Sequence, residues 1–101
     1  MRGTPIAEQA IIGAALGSSI AGMSPIAEIM FIDFAAVCLD QIANHAAKQR
    51  YMSGSATHVP MTIRVLTSGG IGGFGAQHSQ SLESWLLHTP GLKVAYPSSA
   101  L

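Results

Sequence analysis

Two side chains stand where chemistry could be done, Glu8 and His78. Glu8 closes the stretch Thr4-Pro5-Ile6-Ala7-Glu8, and Gln9 to Gly17 follows without a charge. Thr4 suits a helix N-cap and Pro5 the first helical position. A simple capping box would set the acid at residue 7, which is alanine; Glu8 comes one residue later. An acid there either complements the helix dipole or works on a ligand. The local pattern leaves both open.

His78 lies in Gly75-Ala76-Gln77-His78-Ser79-Gln80, after a glycine-rich loop and before a helical pattern. In a parallel α/β sheet, that is the carboxyl end of a strand, where functional side chains gather. The imidazole could serve as base, acid or hydrogen-bond donor to an anion, or simply be a satisfied polar group. No Ser/His/Asp spacing accompanies it. His45, His58 and His88 are scattered, without metal-ligand spacing to the cysteine. The run Gly70-Ile71-Gly72-Gly73-Phe74-Gly75 departs from the dinucleotide fingerprint, and no phosphate-loop lysine follows it. Its expected use is to bring backbone close to a ligand or a neighbouring subunit.

The elements that must position these groups alternate between helix and strand. A helix is expected over residues 6–21, stopped by Gly22 and Pro25. A buried strand follows over 25–31. Asp33 then caps a second helix over 34–51, with Lys48 and Arg50 in its last turn. Strands are expected over 59–65 and 92–97, with a short helix over 81–88 between them. This order implies an α/β fold, three-layer α/β/α, with a mainly parallel sheet and right-handed crossovers. A helix opens the chain and a buried-looking strand nearly ends it. Residues 1–101 therefore read as one partial domain, a slice of a larger α/β unit. Gly13 and Gly17, four apart, share a helix face that invites close packing.

Composition narrows the function classes. The chain has 101 residues, 49% apolar and 10% charged, where a solvated domain has roughly a quarter charged. Much of its surface is expected to meet another chain or domain. A formal net charge of zero argues against nucleic acid or an anionic membrane as partner. Between Gly3 and Ala47 the charges are Glu8, Glu28, Asp33 and Asp40, without Lys or Arg. Such acids need backbone N–H groups, a protonated base or a cationic ligand. The lone Cys38 excludes an internal disulfide and is expected to be a buried, inert thiol in a reducing compartment. Neither a leader peptide nor a membrane span is read.

Six blocks, in order, carry a resemblance. They are Thr4-Pro5-Ile6-Ala7-Glu8, Pro25-Ile26-Ala27-Glu28-Ile29-Met30, Asp40-Gln41-Ile42-Ala43-Asn44-His45-Ala46-Ala47-Lys48, Tyr51-Met52-Ser53-Gly54, Gly75-Ala76-Gln77-His78-Ser79-Gln80-Ser81 and Pro90-Gly91-Leu92-Lys93-Val94. Together they resemble the β subunit of the E1 component of 2-oxoacid dehydrogenase complexes, in its transketolase-like pyrimidine-binding domain. The resemblance implies thiamine diphosphate held between subunits. This domain would take the aminopyrimidine, and the E1 α subunit would hold the diphosphate and Mg²⁺. By position, Glu8 resembles the cofactor-activating glutamate, Met30 and Phe34 the residues lining the ring, and His78 the active-site histidine. A carboxyl group bonded to the ring nitrogen acts best when apolar surroundings raise its pKa.

The implied reaction is oxidative decarboxylation of a pyruvate-like 2-oxoacid, with acyl transfer to a lipoyl group on an E2 component. A second β subunit completes the assembly, in a bacterial cytoplasm or an organelle matrix. Ala76-Gln77-His78 resembles the pyruvate or acetoin branch more than the branched-chain one. Gly3 and Val65-Leu66-Thr67 depart from the family pattern, and no GDG-type diphosphate motif occurs. The alternative is an inactive piece that keeps only the packing faces around Gly13 and Gly17 as an oligomeric scaffold.

Overall fold

The fold comes from a computed structural model and is described for residues 1–68 and 73–100. The elements run α1 (Glu8–Ile20), β1 (Ile26–Ile29), a 3-10 turn (Ile32–Phe34), α2 (Ala35–Leu39), a π turn (Asp40–Ala46), α3 (Gln49–Met52), β2 (Thr62–Val65) and α4 (Glu83–Leu87). β1 and β2 pair in parallel, Ile26 opposite Thr62 and Ile29 opposite Val65. Helices linking parallel strands make an α/β fold, as the alternation of patterns requires.

α1 starts later than expected. Its N-cap is Ala7, and no side chain caps it. Thr4, three residues before that cap, is outside the helix and out of reach of its first-turn amides. Glu8 becomes the first helical residue, where the unpaired N–H groups favour a negative charge. The other end closes as the Gly22 signal predicts. The amide of Met23 donates to the carbonyl of Ser18, and that of Gly22 to Ser19, with Gly22 at φ +95°. That is the Schellman pattern, which needs a left-handed residue. Ile12, Ala15, Leu16 and Ser19 form the buried stripe. The core joins Ile12 and Ala15 to Ala27, Ile29, Cys38 and Ile42.

The expected helix over 34–51 is interrupted. Ala47 donates to the carbonyl of Ile42 at 2.9 Å, five residues back, which is π geometry. Along its exposed side Asn44 Nδ2 donates to Asp40 Oδ1 (2.8 Å) and Lys48 Nζ to Asn44 Oδ1 (2.9 Å). Cys38 and Ile42 stay buried across the change of pitch, whereas Val37 is exposed. Asp33 does not cap this helix; its carboxylate is engaged by a distant segment described below.

The expected strand over 92–97 forms no ladder. The alternation is present, with Leu92 and Val94 half-buried and Lys93 and Ala95 exposed. Leu92, like Ile63 and Val65, packs against the core, and with Val94 it lines a crevice of about 540 Å³ that Ile29, Ile63 and Val65 also line. The sheet's other face exposes Ile26, Met30 and Leu66, crossed by an ion pair between Arg64 and Glu28.

Candidate functional site

Phe34 and His78 are brought together. The imidazole stands edge-on to the Phe34 ring, centroids 5.1 Å apart and planes at 78°. It stands likewise to Phe31, at 5.5 Å and 80°. Phe31 in turn meets Phe74 at 5.9 Å. Edge-to-face contacts at these separations suit the ring quadrupoles. Phe31 precedes the 3-10 turn and Phe34 ends it, and the turn brings both rings against the imidazole. Phe31 was read only as strand sequence; its spacing of three from Phe34 is the signal that could have marked it as a second wall.

His78 is presented by a turn in which its amide donates to the carbonyl of Gly75 at 3.2 Å. The Ser68 hydroxyl, three residues after β2, donates to the His78 carbonyl. Gly69, Gly70, Ile71 and Gly72 of the glycine loop lie outside the described residues.

Met30 follows β1 and continues its alternation outward, 59% exposed. Its side chain is open, and it stands next to Phe31 in sequence.

Glu8 is half-buried at the mouth of α1. Among the described residues it has no hydrogen-bond or ion-pair partner. Its charge is felt by Cys38, whose thiol pKa is raised from 9.0 to about 11, first by burial and also by Glu8. A hydrogen bond of the Cys38 backbone partly offsets this rise. Cys38 Sγ lies 3.5 Å from the Ala35 carbonyl and 3.9 Å from that of Phe34. Thus the first turn of α1 and the helix start bearing Phe34 share one buried neighbourhood. Among the described residues no hydrogen bond joins Glu8 to Met30, Phe34 or His78.

This donor set fits an aminopyrimidine. A carboxylate without a protein partner can meet a ring nitrogen, and phenyl rings and a thioether supply apolar walls. No helix among the described residues is long and apolar enough to cross a membrane.

The model of the family described as transketolase, pyrimidine binding domain, matches residues 2–101. The chain is 52% identical over 96 residues to the acetoin:2,6-dichlorophenolindophenol oxidoreductase subunit beta of Cupriavidus necator, covering 95% of this chain and 28% of that relative. It is 45% identical over 97 residues to the mitochondrial pyruvate dehydrogenase E1 component subunit beta of Caenorhabditis elegans, 96% of this chain and 27% of the relative. It is 44% identical over 96 residues to the 3-methyl-2-oxobutanoate dehydrogenase subunit beta of Mycobacterium tuberculosis, 95% and 27%. The chain therefore spans little more than a quarter of the length of the curated relatives it matches.

Proposed function

The chain belongs to the transketolase pyrimidine-binding domain family, and on that footing we propose that it forms the aminopyrimidine-binding part of a thiamine-diphosphate-dependent E1 β subunit. The substrate is a pyruvate-like 2-oxoacid, with acetoin as the alternative. Residues 1–101 are then part of a larger unit that works with an E1 α subunit, a second β subunit and a lipoyl-bearing E2.

The observation that carries the reading is the Glu8 carboxylate. It sits half-buried in the first turn of an apolar helix, with no hydrogen-bond or ion-pair partner among the described residues. Such a group is available to accept from a ligand N–H. Glu8 holds a proton between its carboxyl oxygen and a ring nitrogen of the aminopyrimidine. Met30 and Phe34 line the ring and keep water from it. The imidazole of His78 donates or takes a proton at the substrate. Thiamine diphosphate, when bound, supplies the carbanion chemistry of decarboxylation and acyl transfer. Its diphosphate and Mg²⁺ fall to the α subunit.

Glu8→Gln in the full-length subunit, assembled with its α partner, tests this. Activity is expected to fall on the order of 10² to 10⁴-fold with assembly intact. Calorimetry on the same assembly is expected to register weaker thiamine diphosphate binding. Full activity in an intact assembly refutes the role.

A further inference from the structure

Asp33 is buried, 8% exposed. Both of its hydrogen bonds converge on one oxygen. The Gln80 amide donates to Oδ1 at 3.2 Å, and Gln80 Nε2 donates to the same atom at 2.8 Å. Oδ2 is buried with no partner among the described residues. A buried polar atom left unpaired is unfavourable, so this carboxylate is a poor device for stability alone. Nor does it serve the helix beside it, whose N-terminus receives no side-chain cap. What it does instead is tie the end of β1 to a segment 47 residues away.

That segment carries His78. The Ser68 hydroxyl holds the carbonyl of residue 78 from one side. Asp33 holds the amide of residue 80 from the other. The two peptide planes that follow residue 78 are thereby held, the plane before it is held by the bond from its amide to the Gly75 carbonyl, and the imidazole is left edge-on to Phe31 and Phe34. We infer that Asp33 is a positioning residue for His78, acting through Gln80 and through the single acceptor Oδ1. The inference rests on the reading of His78 as the group that handles a proton at the substrate.

The test uses the assembled full-length protein, with two readouts. One is the ring resonances of His78 in protein carrying labelled histidine, recorded without cofactor. The other is the split between kcat and KM. Asp33→Ala is expected to move the His78 resonances toward those of a histidine in water. It lowers kcat on the order of 10²-fold, the scale for a displaced catalytic group, with KM little changed. Asp33→Asn keeps an oxygen at Oδ1 and restores both readouts. In a His78→Ala background, Asp33→Ala brings no further loss of kcat, because the two residues act as one unit.

Should Asp33→Ala fail to assemble, Gln80→Ala removes only the side-chain bond and gives the same changes to a smaller extent. Unmoved resonances with unchanged kcat overturn the inference. So do additive losses in the double variant, or Asp33→Asn as damaging as alanine. If His78→Ala alone leaves turnover intact, the proton-handling role of His78 fails instead, while a resonance shift in Asp33→Ala still reports the tether.

Discussion

Raising the pH should release stability held by Cys38. The thiol is fully buried in the core with Ile12, Ile29 and Ile42, and its pKa stands at about 11 against the ordinary 9.0. Burial disfavours the thiolate, and the negative charge of Glu8 disfavours it further. An acid whose folded pKa is raised binds its proton more tightly in the native state. Its contribution is complete below pH 9.0 and is lost as pH rises toward about 11. The separation corresponds to roughly 3 kcal/mol.

The assay is urea unfolding of the protein and of Cys38→Ala at stepped pH, taking the difference in unfolding free energy at each step. The cavity left by the alanine is the same at every pH. Tyrosine and lysine titrations, common to both proteins, cancel. The wild-type advantage is expected to hold to pH 9 and then decline. A flat difference profile refutes the argument, because it would mean that the native state accommodates the thiolate as well as water does. Glu8→Gln should also lower the Cys38 pKa, which tests the proximity of the two groups without any turnover.

Gly91 has φ +98° and lies so close to the Ala47 carbonyl that a Cβ would overlap it. Gly91→Ala is therefore expected to destabilise by about 2–4 kcal/mol, combining left-handed strain and overpacking, read as a lower denaturant midpoint with an unchanged slope. The Glu28–Arg64 pair is mostly exposed on both sides. Glu28→Gln should change stability by less than about 1 kcal/mol, and less still in high salt.

Local patterns carried a good deal of the fold. The Gly22 stop closes α1 through bonds within five residues of it. The apolar run over 25–31 marked β1, although it is buried on one face only: Ala27 and Ile29 point inward and Ile26 and Met30 are exposed. The family resemblance singled out Glu8, Met30, Phe34 and His78, and the structure joins the last two by ring contact. The assignments that failed were those decided by neighbours distant in sequence. Asp33 resembled a helix cap, because an acid before an apolar periodic run has that meaning locally. Its actual partner lies 47 residues on.

Residues 92–97 alternate like a strand, yet a ladder also needs the backbone bonds of a neighbouring strand, and 92–97 form none among the described residues. The seven-residue π turn at Asp40–Ala46 left no mark in the helical period. Turn chemistry and hydrophobic period act over a few residues and motif order runs along the chain, so the α/β class, the family and the residue types offered to a ligand follow from the order of residues alone. Which carboxylate lacks a protein partner among the described residues and which is held by a tether depends on groups as far as 47 residues apart that folding brings into hydrogen-bond contact.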